Sequence, residues 1–164
     1  MESLRSPMGP SVCLGHLADD SVAVTVYAIV RHGADQRPDL AAAMRGRIRM
    51  RFAEGYPPVR VDFRGDEIEV ADETDEVDCA CDLELSGRLG DVSALIAAPL
   101  AGGLPRPTSR RGRRAIARLA DGRVNFDGPL ALARNLLRLL AVDAPSATQA
   151  SAPQDPRRDA VPER

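Results

Sequence analysis

The sequence predicts an α+β fold in which one face of a single five-stranded sheet lies under helices. Three observations carry this prediction. Five short segments alternate apolar and polar residues with a period of two, as half-buried strands do. Several segments around them carry helical patterns bounded by caps, prolines and glycines. The closing stretch GRVNFDGPLALARNLLRLL, Gly122 to Leu140, turns from an alternating strand almost at once into a helix with very little polar surface. A sheet with one apolar face must bury it, and the helices are what the chain has to cover it.

In chain order, Asp19-Asp20-Ser21 offers an N-cap and Gly33 a C-terminal stop for a first helix, with Val22, Val26, Ile29 and Val30 on one side. The run SVAVTVYAIV is β-branched enough to favour a strand on propensity alone, so flanks and composition disagree there. Pro38 at a first helical position and Gly46 after the end bracket a short second helix through Leu40 and Met44. In RIRMRF, Ile48, Met50 and Phe52 alternate with Arg47, Arg49 and Arg51; in VRVDFR, Val59, Val61 and Phe63 alternate with Arg60, Asp62 and Arg64. Arg64-Gly65-Asp66 reads as a hairpin turn, after which Ile68 and Val70 alternate with Glu67 and Glu69. Cys79, Cys81, Leu83 and Leu85 then alternate with Asp78, Ala80, Asp82 and Glu84. A third helix begins at Asp91, with Val92, Leu95 and Ile96 apolar, and ends before the loop from Pro99 to Pro107. Val124 and Phe126 alternate with Arg123, Asn125 and Asp127 in the fifth strand. The last helix starts at Pro129, with Asp127 or Gly128 as cap, and runs to about Val142.

The polar faces of these strands fit one another. The first is arginine-rich, the second mixed, the third and fourth acidic, so opposite charges are expected across neighbouring strands, at about 0.2–1 kcal/mol a pair. In the last helix only Arg134, Asn135 and Arg138 are polar between Leu130 and Val142, a narrow wet stripe on an otherwise apolar cylinder. Its apolar surface exceeds what packing on one sheet requires, and the surplus must meet other helices, a partner or a ligand.

At 164 residues the chain fits one domain with some tail. Residues 1–18 read as a loose N-terminal segment in which Val12 to Leu17 could dock, 19–143 as the domain, and 144–164, rich in Pro, Ser, Ala, Gln and Arg, as a disordered tail. A formal net charge of -2 offers no basic footprint for nucleic acid, and none is expected as a partner. All 22 basic residues are arginine, which excludes a Schiff-base lysine and a Walker-type phosphate loop. Three cysteines without a CxxC and two unclustered histidines predict neither a zinc site nor a disulfide framework, and no cofactor. The N-terminus lacks the apolar region of a secretory signal and no run is long enough to span a bilayer, so a cytoplasmic protein is expected.

The meander, the strand CACDLELSG, the segment DVSALIAAPL and the closing GRVNFDGPLALARNLLRLL together resemble the sterol carrier protein-2 (SCP2-like) lipid-binding domain family, over about residues 20 to 142. The resemblance implies a five-stranded mixed sheet covered by helices, with a hydrophobic tunnel between them that accepts fatty-acyl or sterol-like molecules. It also implies that SVAVTVYAIV is helical. Gly128-Pro129 stands where the family commonly has Gly-Asp, and the stretch AGGLPRPTSRRGRRAIARLADG is longer than the family's usual connection.

Candidate functional residues follow from this frame. A tunnel would be lined by Ile48, Met50, Phe52, Phe63, Leu83, Phe126, Leu132 and Leu136, and affinity would come from apolar burial, about 25 cal/mol per Å² before ordering costs. With 3% aromatic residues the cavity would be mostly aliphatic and suited to flexible lipid. Cys79 and Cys81 share a strand face and read as small core hydrophobes, His32 as a cap near a helix C-terminus, and Asp72, Glu73, Asp75 and Glu76 as a solvated turn. No catalytic residue and no metal ligand is assigned. Arg106, Arg110, Arg111, Arg113 and Arg114 would sit in the first turns of a helix beginning near Ser109, where the macrodipole disfavours cations. Docking of Arg110, Arg111, Arg113 and Arg114 to an anionic membrane or an acidic protein is set against a solvated loop. The functional readings are therefore carriage of an apolar ligand, an accessory protein or enzyme holding a hydrophobic biosynthetic intermediate, or an interaction module whose interior is filled by its own side chains.

Overall fold

The computed structural model describes residues 9–73 and 80–141. Their elements run β1 (Ser11–Leu14), α1 (Ala23–Gln36), α2 (Pro38–Ala43), β2 (Gly46–Phe52), β3 (Val59–Phe63), β4 (Glu67–Asp72), β5 (Leu83–Gly87) and α3 (Leu89–Ile96). They continue as β6 (Leu100–Ala101), β7 (Leu104–Pro105), α4 (Arg110–Ala120), β8 (Val124–Asp127) and α5 (Leu130–Leu140). The architecture is α+β, with one mixed sheet in the order β1-β4-β3-β2-β5-β8 and a small β6-β7 hairpin.

The sheet has six strands where the sequence predicts five. The additional strand, Ser11–Leu14, comes from the segment expected to be loose, and pairs parallel to β4 at the sheet edge. An edge strand with only Val12 and Cys13 half-buried needs little apolar alternation, so period two does not reveal it. The meander predicted from Arg47 to Val70 forms as two antiparallel pairs, Ile48 opposite Val61 and Phe63 opposite Ile68. β2 also pairs parallel to β5, and β5 antiparallel to β8.

One face of the sheet buries Ile48, Met50, Phe52, Val59, Val61, Phe63, Ile68, Val70, Leu83 and Leu85. On the other face opposite charges meet. Arg47 Nε lies 2.7 Å from Asp62, its partner across the β2-β3 ladder, and Arg60 reaches Asp62 at 3.2 Å and Glu69 at 3.4 Å. Arg49 faces Arg60 directly in register, but it pairs instead with Glu73 and, at 3.6 Å, Glu84.

α1 forms against the strand propensity of its sequence because its buried residues, Ala23, Val26, Val30, Gly33 and Ala34, recur at helical spacing. Ser21 helps start it, its Oγ accepting the Ala23 N–H at 2.9 Å. Gly33 does not stop it. The helix continues to Gln36, and Gly33 is where α5 comes closest, since a β-carbon there would collide with the carbonyl of Leu139. α2 follows with Pro38 in its first turn, as predicted. α3 begins at Leu89, two residues before Asp91, its first N–H taken by the Glu54 carboxylate at 2.9 Å. β5 begins at Leu83, with Asp82 tied to Arg47 by two hydrogen bonds just before it; Cys81 precedes the strand and Cys79 lies outside the described residues.

The acidic run also differs from expectation. Asp72 is the buried last residue of β4 and Glu73 is ion-paired, so neither is a solvated turn residue; Asp75 and Glu76 lie outside the described residues. Pro129 occupies the cap of α5 itself, its carbonyl accepting from Leu132 and Ala133, and helix is described to Leu140. Gly128, at φ +140°, sits so close to the carbonyl of Asp82 that no side chain fits. Val142, Asp143 and the predicted tail 144–164 lie outside the described residues.

Candidate functional site

α1, α3 and α5 meet the apolar face of the sheet over β2, and there a cavity of about 40 Å³ remains between them. Val26 of α1, Met50 and Phe52 of β2, Val92 of α3 and Leu140 of α5 are its buried walls, and Val22, Ile29, Leu89 and Ile96 are half-buried around it. Among the described residues, Thr25 on α1 and Ser93 on α3 are the only polar ones in the lining, and both are exposed, which marks the mouth. The Ser93 hydroxyl is already engaged, donating to the Leu89 carbonyl at 2.8 Å. No titratable side chain lines the cavity among the described residues, and its walls offer apolar contact.

The helices around the cavity form two groups. α1 packs on α2 and α5, and α3 on α4, while α1 and α3 have no comparable contact with each other. The cavity therefore lies on the seam between the groups. At about 40 Å³ it is far below the ~300 Å³ at which small-molecule pockets begin.

Of the residues predicted to line a tunnel, Met50 and Phe52 line this cavity. Ile48, Phe63, Leu83 and Leu136 are packed core, and Phe126 and Leu132 are half-buried against that core. The α1 and α3 residues of the lining were not singled out in sequence. Val22, Val26, Ile29, Val92 and Ile96 were visible as apolar helix faces, but nothing local says that these two faces meet over Met50.

Arg110, Arg111, Arg113 and Arg114 lie in the first turns of α4 and are exposed. Ser109 caps this helix, accepting the Gly112 N–H at 2.9 Å, and no acidic residue occupies the first turn. A cluster that sequence reasoning missed is Asp91 with Arg118 and Arg123, at 2.8 and 3.2 Å. The hydrogen bond from Arg118, assisted by the charge of Arg123, holds the Asp91 carboxyl below the ordinary carboxylate range despite its burial. Asp91 sits on α3 and Arg118 on α4, so the pair binds those helices to each other, and Arg123 ties both to the approach to β8. Among the described residues no helix is long and apolar enough to cross a membrane.

Solved structures are similar to this chain. The chain is similar to a structure described as a UbiJ-SCP2 ubiquinone synthesis protein, with a TM-score of 0.52 and 12% identity over 73% of this chain and 88% of that one. It is also similar to the sterol carrier protein domain 2 of Helicoverpa armigera (TM-score 0.48, 16% identity, 75% and 89% covered). Sterol carrier protein 2 of Yarrowia lipolytica in its apo form gives 0.46 and 14%, with 75% and 92% covered. At these identities the likeness is one of fold, and the fold of this chain is SCP2-like. No protein-family model matches the sequence, and no curated protein matches it significantly.

Proposed function

We propose that this protein binds an apolar ligand, fatty-acyl, isoprenoid or sterol-like, without covalent chemistry, by admitting it to the α1/α3 seam above Met50 and Phe52. The observation that carries this reading is the cavity itself. It lies between the sheet and two helix groups, its walls are apolar, and its polar groups are two hydroxyl residues at the mouth. The SCP2-like fold supports it, since the solved neighbour with a TM-score of 0.52 is described as a UbiJ-SCP2 ubiquinone synthesis protein. Each methylene taken from water contributes about 0.8 kcal/mol before the cost of ordering the ligand and parting the helices. Ile48, Phe63, Leu83 and Leu136 are the next apolar layer for a ligand that enters further, and Phe126 and Leu132 would line its far end. The site would act within the cytoplasm, on a hydrophobic cargo.

The test is native mass spectrometry of the protein purified from its own host, with extraction and identification of any bound molecule. A stoichiometric lipid or isoprenoid is expected, and the double variant Thr25→Trp/Ser93→Trp, which fills the mouth from exposed positions, is expected to lose it. A clean apo mass together with no thermal stabilisation by a panel of fatty acids, isoprenoids and sterols would overturn the reading in favour of an interaction module.

A further inference from the structure

Among the described residues, two sets of arginines differ in their partners. On the sheet, Arg47, Arg49, Arg51, Arg60 and Arg64 each pair with a carboxylate, and Arg118 and Arg123 share Asp91. Arg106, Arg110, Arg111, Arg113 and Arg114 are all exposed, and none has an ion-pair partner among the described residues. The Arg113 guanidinium only reaches back to the carbonyls of Pro107 and Thr108. Arg110, Arg113 and Arg114 fall on the side of α4 opposite the buried Gly112 and Ala115, so the outer face of the helix is cationic.

This face is costly to the fold. Cations in the first turn oppose the helix dipole, and neighbouring guanidiniums repel. Gly112, a poor helix former, is also required, because a β-carbon there would collide with the Arg106 carbonyl. That close approach holds the preceding loop, with Arg106, against the helix. Exposed apolar side chains border the charge: Ile116 on α4 and Leu104 on β7. The β6-β7 hairpin, which packs on α4, leads to a second cationic concavity of about 200 Å³ on α5, lined by Gly102, Ala131, Arg134, Asn135 and Arg138. Among the described residues no acidic side chain lines it.

We propose that the outer face of α4, carrying Arg110, Arg113 and Arg114 and flanked by Arg111 and by Arg106 of the preceding loop, docks this protein onto an anionic lipid membrane. Guanidiniums without acidic partners, mixed with exposed aliphatic side chains on a convex helix, suit a fluid surface of phosphate headgroups over hydrocarbon. The proposal deepens the ligand-binding reading and rests on it for its purpose. A water-insoluble ligand is collected from a membrane, and α4 is bound through Arg118 and Asp91 to α3, one wall of the ligand cavity.

Co-sedimentation with vesicles of neutral phosphatidylcholine, and of the same lipid with phosphatidylglycerol, tests the proposal. Two double variants of equal net charge are compared: Arg110→Gln/Arg114→Gln on the docking face, and Arg31→Gln/Arg88→Gln at exposed positions elsewhere. Binding to anionic vesicles is expected to fall about tenfold or more in the first and about twofold or less in the second, and to weaken as salt rises. Equal binding to neutral and anionic vesicles, no binding to either, or equal loss in both variants would overturn it. Native mass spectra of the same preparations separate this from the ligand reading. A chain that docks but carries nothing sinks the cargo alone, and one that carries cargo but ignores anionic vesicles sinks the docking face alone.

Discussion

Asp72 is 3% exposed at the end of β4, yet its carboxylate fixes the path of the chain into α1. One oxygen accepts the Ala18 N–H and the other the Ser21 hydroxyl, both at 2.7 Å, while Ser21 in turn accepts the N–H of Ala23. Asp72→Ala leaves those donors short of an acceptor, and a loss of about 1–3 kcal/mol is expected in urea unfolding. Since Asp72 does not line the cavity, ligand retention by the folded fraction should not change. Gly33 makes a second residue-scale prediction, and here two effects oppose each other. Alanine gains about 1 kcal/mol over glycine in a helix interior, but its β-carbon would meet the backbone of Leu139, which no rotamer change can relieve. Overpacking costs about 1–3 kcal/mol and should win, so Gly33→Ala is expected to lower the unfolding midpoint. A rise in that midpoint would show that α5 can move away from α1 at little cost.

Helices α3 and α4 are held together by charge as well as by apolar contact, and this makes their seam sensitive to pH. The Asp91 carboxyl is depressed first by the hydrogen bond from Arg118 and further by Arg123. Its folded-state pKa lies below the unfolded value of about 3.9, so its contribution is complete above that pH and is lost as pH falls through the folded value. Asp91→Asn should therefore lower the thermal midpoint at pH 7 and flatten the stability profile below about pH 4, where the wild type falls. Ser109→Ala, which removes the α4 cap, should cost about 1 kcal/mol at every pH, separating capping from charge. These features also mark how far the sequence could be read. β2 and β3 were legible because interior strands buried on one face must alternate at every residue. Ser11–Leu14 was not, because an edge strand is specified mainly by backbone bonds to β4. Glu54 on α3 and Arg118 on Asp91 lie 35 and 27 residues from their partners, and no local pattern announces them. Met50 and Phe52, which line the cavity, were legible as inward-facing through their period of two, whereas the helix residues facing them depend on how the helices are laid on the sheet.

At the scale of the whole molecule, the sheet is continuous and the helix layer above it is divided. α1, α2 and α5 form one body, locked at Gly33, and α3 and α4 another, locked at Asp91. A cavity of about 40 Å³ at their junction cannot hold a lipid chain, so binding one requires the two bodies to part by several hundred Å³. The α3 side should move, since α1 is held by α2, α5, β1 and β4 together, whereas α3 has α4 as its principal neighbour. Local opening of this kind is seen in hydrogen exchange, where elements with few packed neighbours exchange through small fluctuations and central strands only on global unfolding. Amides of α3 in ligand-free protein should exchange about tenfold or more faster than those of β3, and a bound fatty-acyl or isoprenoid chain should slow α3 while leaving β3 unchanged. If α3 is as protected as β3 in the ligand-free state, the seam does not open, and any ligand would have to enter elsewhere.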